Sequence, residues 1–324
     1  MNKLILDFYD GKLDGDSWEE LCQSCYKIRY KNEHYTEIPA VHGGDGGIEG
    51  FTRTGIVNQC YCHEKVFTDN ELYKHQRDKM TKDINKLLKK DYKKELKSLG
   101  VPVIREWHFV VPFYKDSRII KHAETKRQEV LGAKNSNREF YDYIDDDFQI
   151  IVKDAEEFKF EITRTIRTSL TDTKLNLAIR KVDMPDWEKC DSEKVSNIER
   201  KVKSVYGDYD ENKKEDVEDI NFIVNTYVQA YIKGMEILRI LRVSYAEIYE
   251  DVYSLEQSYK RQVELKTRMN TNRSLNQQLF NQILDDFEEQ LKKACYYFTL
   301  DSIFELKTDI IGMWLADCSM QFRK

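Results

Sequence analysis

Four things are scarce in this sequence: proline, long apolar runs, glycine- or serine-rich linkers, and the cysteine density of a disulfide scaffold. With four prolines, 34% charged residues and no low-complexity run, the 324-residue chain reads as a soluble, helix-rich globular protein. No apolar stretch approaches the ~20 residues that cross a bilayer, which excludes a membrane-spanning helix. The opening Met1-Asn2-Lys3-Leu4-Ile5-Leu6-Asp7 is apolar for only three residues, so no signal peptide is expected and the expected compartment is the cytoplasm. Seven cysteines, an odd number spread along the chain, are expected to be reduced thiols. The net charge of −6 excludes a surface coated throughout in nucleic-acid-binding charge.

What is present is concentrated near the amino terminus. In His42-Gly43-Gly44-Asp45-Gly46-Gly47-Ile48-Glu49-Gly50, the glycines allow positive φ and close approach of the backbone to a ligand, so that a tight loop presents Asp45 and Glu49. Ile48–Arg53 and Ile56–Cys62 read as strands joined at Thr54-Gly55. Alternation puts Val57, Gln59 and Tyr61 on one face and Cys60 and Cys62 on the other, with Gln59 placed to sit opposite Glu49. A carboxylate and an amide oxygen converging on adjacent strand ends suit a hard octahedral cation such as Mg²⁺ or Mn²⁺, whose use against a phosphodiester is well founded chemically.

The same residues resemble the PD-(D/E)XK nuclease superfamily, and within it the Mrr-type restriction branch, in which a D-G-G-I-D-G loop precedes a Q-x-K strand. The resemblance covers roughly residues 15 to 165. Ser17-Trp18-Glu19-Glu20-Leu21 is similar to the first-helix F-E-x-L element that brings a further acid to such sites, which implies a role for Glu19. The resemblance implies metal binding by Glu49, Gln59 and Asp45. This chain departs from the pattern twice: Glu49 stands for the second Asp, one methylene longer, and Tyr61 stands for the motif lysine, a neutral phenol at pH 7 with no ammonium to offer a phosphorane.

The resemblance allows the missing lysine to be supplied from elsewhere in the chain. Lys65 follows the strand, while Lys79 and Lys82 lie on the next helix; Lys79 is the preferred candidate for transition-state stabilisation, against the alternative that all three are solvated surface residues. From Lys74 to Lys97 there are ten basic residues against Asp78, Asp83, Asp91 and Glu95. Alone, this stripe is more often a solvated helix face; beside the hairpin it is expected, with Lys82, Lys86 and Lys89, to neutralise backbone phosphates. Cys22 and Cys25, with Cys60, Cys62 and His63, have spacings conceivable for zinc, but a helix and a strand are not zinc knuckles, and burial is the expected fate of these thiols. His108 is read as a packed structural histidine.

The rest of the first domain reads as α/β: a helix over 17–30, a strand over 37–41, the hairpin, a helix from about 70 to 99 stopped at Gly100, a buried strand over 107–111, a helix over 117–131, a short strand over 148–152 and a helix over 155–170. Domains are expected at 1–170 and 216–324, with a connecting segment over 171–215 that includes the turn Met184-Pro185-Asp186-Trp187 and ends in the polar run that extends from Gly207 to Asp216. Beyond it, Ile220, Ile223, Tyr227, Tyr231, Leu238, Leu241, Tyr245, Ile248, Val252 and Tyr259 form an apolar stripe on one long or once-broken helix, followed by helices near 275–298 and 301–322.

The fold expected is thus α/β, a PD-(D/E)XK restriction-endonuclease-like core followed by an all-α helical domain for assembly or regulation. The function expected is metal-dependent cleavage of double-stranded DNA; the alternative is a catalytically inactive nuclease fold that binds nucleic acid or acts as a scaffold. Residues 314–322 and the hairpin Gln59–Cys62 also resemble effector nucleases of multicomponent prokaryotic anti-phage systems of the Lamassu type. That second resemblance implies partner subunits, among them an ATPase of the structural-maintenance-of-chromosomes type, and homo-oligomer formation on activation, with no membrane partner.

Overall fold

A computed structural model describes residues 5–11, 13–38, 47–89, 92–168, 173–177, 191–317 and 319–322. The chain divides into two compact units, Met1–Thr173 and Lys174–Lys324. It is mixed α/β and mostly helical, with a five-stranded mixed sheet in the first unit. Among the described residues no helix is long and apolar enough to cross a membrane.

The first unit begins with helix α1, Gly15–Arg29, set by a reciprocal cap in which the Asp14 carboxylate accepts from the Ser17 backbone N–H while the Ser17 hydroxyl accepts from the Asp14 N–H. Its buried stripe is Trp18, Leu21, Cys22, Cys25 and Tyr26. The sheet strands are β1 (Thr36–Glu37), β2 (Gly50–Phe51), β3 (Ile56–Cys60), β4 (Ile104–Val110) and β5 (Ile144–Lys153), hydrogen-bonded in chain order. The pairs β1–β2 and β2–β3 are antiparallel, whereas β3–β4 and β4–β5 are parallel. Parallel neighbours need crossovers, and the sequence supplies helices for both: α2 (Asp69–Leu87) and α3 (Tyr92–Leu99) for the first, α4 (Arg118–Ser136) for the second.

The β2–β3 turn requires glycine at position 55, where φ is +94° and a Cβ would come within 2.3 Å of the Val103 carbonyl. One face of the sheet packs Val57, Trp107, Phe109 and Phe148 against Met80 and Ile84 of α2 and Ile119 and Val130 of α4. The opposite face of β4 meets α1: the Trp18 indole donates to the Val110 carbonyl and the Tyr26 hydroxyl bonds His108. With a neighbour on each edge and helices on both faces, β4 is the unit's centre, which explains why its second half, Trp107 to Val110, is wholly buried.

Several boundaries differ from expectation. The helix expected over 70–99 ends at Leu87 and resumes at Tyr92, so the basic stripe occupies two helices. The last strand is longer, Ile144–Lys153, and the following segment is a 3₁₀ turn, Ala155–Phe158, leading into helix α5, Lys159–Arg167. The expected strand over 37–41 falls partly, and the turn at Met184–Trp187 wholly, outside the described residues.

The second unit contains helices α6 (Ser192–Tyr206), α7 (Lys214–Ser244), α8 (Ala246–Met269), α9 (Asn276–Ala294) and α10 (Leu300–Ala316). The long apolar stripe is broken once, at Tyr245, whose φ of −142° leaves the helical region. Part of the stretch expected to be a connection is α6 itself, whose Ile198 and Val202 are buried in the helical core. That core centres on Trp314, which packs against Phe287 and Tyr259 and donates its indole N–H to the buried carboxylate of Glu256.

Candidate functional site

The expected site residues Glu49 and Gln59 meet at the carboxyl end of β3. The antiparallel register that pairs Gly50 with Asn58 sets Glu49 beside Gln59, and the ladder continues one step further as the Glu49 N–H donates to the Asn58 carbonyl at 2.8 Å. Both side chains are buried, at 4% and 1% exposure. The Gln59 amide donates to Glu49 Oε1 at 2.5 Å, and the Cys60 backbone N–H donates to Glu49 Oε2 at 2.8 Å. Gln59 Oε1 is buried without a hydrogen-bond partner among the described residues. Burial without a partner costs free energy, so this oxygen is suited to a donor or a cation.

Glu19 stands half-buried on α1, one turn before Gln23, whose amide donates to the Glu49 carbonyl at 3.0 Å. The electrostatics of Cys22 place Glu19 and Glu49 in one neighbourhood. Burial raises the Cys22 thiol; its Cys60 hydrogen bond opposes this, and the fields of Glu49 and Glu19 add to it. Asp45 lies outside the described residues. Among the described residues no three His, Cys, Asp or Glu side chains gather into a metal-binding group.

Tyr61 does not take up the role of a motif lysine. Its ring stacks on Phe109, with centroids 6.3 Å apart and planes 12° from parallel, and burial pushes its phenol up. Lys79 turns instead toward Asp83, at 2.9 Å, and Lys86 reaches the same carboxylate at 3.0 Å. Asp83 has no exposed surface, and both its oxygens depend on these two ammonium groups rather than on ideal hydrogen bonds. It also abuts the glycine loop: at Gly47, where φ is +91°, a Cβ would come within 2.8 Å of the Asp83 carbonyl. Lys79 and Lys86 are thus gathered on a residue that touches the loop two positions before Glu49. Lys86 faces inward to this cluster, while Lys82 and Lys89 are exposed.

Sequence reasoning passed over the residues that hold the site from behind. The Tyr35 hydroxyl bonds both Gln23 and Asn58, and lies directly over Gly50. Gln23 is a buried amide on an otherwise apolar helix stripe, four residues after Glu19, which was a usable signal. Tyr35 and Asp83 carried no signal, because their partners are distant in the chain. Cys22, Cys25, Cys60 and Cys62 are buried thiols outside any disulfide. His108 is buried, bonded to Tyr26 at 2.8 Å and to Glu106 at 2.8 Å, and burial lowers its pKa.

A buried carboxylate, both of whose oxygens accept protein hydrogen bonds, thus lies beside an amide oxygen that has no hydrogen-bond partner among the described residues. Comparison with protein-family models, with curated proteins and with solved structures finds no match.

Proposed function

We propose that the first unit is a PD-(D/E)XK-like, Mg²⁺- or Mn²⁺-dependent endonuclease domain acting on DNA, and that the whole chain is the effector subunit of a multicomponent anti-phage system. The observation that carries the reading is the buried Glu49–Gln59 pair at the end of β3, with Gln59 Oε1 left without a hydrogen-bond partner among the described residues. Glu49 and Gln59 would hold the cation, with Asp45 and Glu19 as neighbouring acids. Such an ion supplies polarisation of the phosphodiester and stabilisation of developing negative charge.

The chain's own residues define the rest. Gln23 and the Cys60 N–H fix the position of Glu49 from its two ends, which limits movement of the longer side chain. Lys79 is the ammonium assigned to the transition state, held near the loop by Asp83. Lys82 and Lys89, exposed beside it, are assigned to backbone phosphates, and Lys86 joins them through its place in the same cluster. The helical unit is assigned to docking with partner subunits, including an ATPase of the structural-maintenance-of-chromosomes type, and to self-association on activation.

One observation favours a second reading, an inactive nuclease fold that serves as a nucleic-acid-binding scaffold: the motif lysine position is a stacked tyrosine. Cleavage of plasmid and linear double-stranded DNA in Mg²⁺ and in Mn²⁺ separates the two. Metal-dependent cutting that is lost in both Glu49→Ala and Gln59→Ala supports the nuclease. A gain in Glu49→Asp shows that the longer acid attenuates it. No cutting by the chain or by Glu49→Asp, with DNA still bound, leaves the scaffold.

A further inference from the structure

Within the helical unit, α7 and α10 cross backbone to backbone. A Cβ at Gly234 would lie 3.0 Å from the Asp309 carbonyl, and one at Gly312 would lie 2.7 Å from the Tyr231 nitrogen. Asp309 is drawn into this crossing at 1% exposure, and its Oδ2 has no hydrogen-bond partner among the described residues. Asp309 is among the residues that line a cleft of about 420 Å³ between the two helices, shared with Asp301, Phe304 and Glu305 of α10 and Lys233 of α7.

Burying a carboxylate with no hydrogen-bond donor to meet it is costly. Burial pushes Asp309 up to about 7; Lys233 opposes the shift and Glu305 adds to it. Asp301, Glu305 and Asp309 recur every four residues, so three carboxyls stand in a row along one strip of α10, each about 6 Å of helix rise from the next. The middle one is partly neutralised, since Lys233 lies 3.2 Å from Glu305. Neither end has an ion-pair partner among the described residues. The row spans about 12 Å from its exposed mouth at Asp301 to its buried end at Asp309.

We propose that this cleft binds a linear aliphatic polyamine, with one terminal ammonium on Asp309, the other on Asp301 and the intervening amine beside Glu305. An ammonium supplies the donors that the buried carboxylate lacks, in a setting where charge-assisted hydrogen bonds are strong. A triamine of spermidine's length matches the row, whereas a compact hydrated ion leaves most of the cleft unfilled. Phe304 gives the methylene chain an apolar wall. The site lies wholly within the second unit and does not depend on the nuclease reading.

Isothermal titration of the full chain, free of DNA, with spermidine, putrescine and Mg²⁺ as separate probes tests the proposal. Spermidine is expected to bind one per chain, putrescine at least about tenfold more weakly because it reaches only two of the three carboxyls, and Mg²⁺ not to compete. Asp309→Asn, nearly isosteric, is expected to weaken spermidine at least tenfold, and Asp301→Asn by less. Below pH 7 binding should release a proton as Asp309 ionises, read from heats in buffers of different ionisation enthalpy, so affinity rises with pH and levels off above about 7. Should Asp309→Asn fail to fold, the double change Asp301→Asn with Glu305→Gln, both at exposed positions, carries the same test. No spermidine binding, unchanged affinity in the variants, or displacement by Mg²⁺ at equal concentration overturns the proposal. Glu49→Ala should bind spermidine as the parent does, which separates this outcome from any failure of the nuclease reading.

Discussion

The Tyr35 phenol occupies the space into which any side chain on Gly50 would extend: a Cβ there would lie 2.0 Å from the hydroxyl oxygen and 2.4 Å from the ring carbon that bears it. Tyr35 is held in place by Gln23 and Asn58, so it cannot yield without giving up buried hydrogen bonds. Gly50→Ala is therefore expected to destabilise the first unit by about 1–3 kcal/mol, the usual cost of overpacking. A urea titration followed by tryptophan fluorescence reads this as a lower midpoint. An unchanged midpoint would show that the ring moves aside freely.

Removing the Glu49 carboxylate has two consequences that can be separated. Glu49→Ala leaves the Cys60 N–H and the Gln59 amide without their acceptor, at about 1–3 kcal/mol. Glu49→Gln removes the charge, keeps one acceptor oxygen for the Cys60 N–H and turns an amide N–H toward Gln59, whose unpartnered oxygen can accept it if the Gln59 amide turns over. It is expected to retain stability within about 1 kcal/mol and to lose metal-dependent cutting; if it cuts DNA as well as the parent does, the carboxylate is not the metal ligand.

The lysines of α2 divide by their surroundings. Lys79, held on Asp83, is expected on replacement by Met to lower the cleavage rate by about 10²-fold, the typical loss of one transition-state donor. Lys82, exposed, is expected on the same replacement to weaken DNA binding and reduce the salt dependence of log K by about one unit of slope, with the rate at saturating DNA unchanged. Single-turnover rates and salt titrations of the two variants distinguish these effects, and an inverted pattern would assign the catalytic ammonium to Lys82.

His108 predicts the acid response of the fold. Burial holds its folded-state pKa below the unfolded value near 6.5, so the unfolded chain takes up the proton first as pH falls. The stabilisation is therefore complete above about 6.5 and declines as pH drops through the folded-state pKa. His63 and His122, also lowered by burial, contribute in the same sense. Urea midpoints at pH 7.5 and 5.5 should differ in the parent and differ less in His108→Gln. An equal pH dependence in both proteins would remove His108 from this account.

Much of the local structure was legible because it depends on neighbours in the chain. Alternation in Ile56–Cys60 set Gln59 on the face of Val57, the Thr54-Gly55 pair marked the hairpin, and three- and four-residue spacing marked the long helices. The division of the basic stripe into two helices was not legible, since no glycine or proline interrupts 88–94. The placement of Lys79 and Lys86 on Asp83 was half legible: i,i+4 and i,i+3 spacing permits both pairs, but only burial of Asp83 against Gly47 makes them one cluster.

By itself, then, the sequence determined the α/β order of the first unit, the helical second unit, and the pairing of Glu49 with Gln59 across a short hairpin, because hydrophobic period and turn chemistry act within a few residues. Tertiary structure alone decided that Tyr35 and Gln23 close over Gly50 and Glu49, that Tyr61 stacks on Phe109, and that Asp309 is buried where α7 and α10 meet. These are contacts between segments far apart in the chain, and their energies come from burial and charge in a packed interior, which no local spacing encodes.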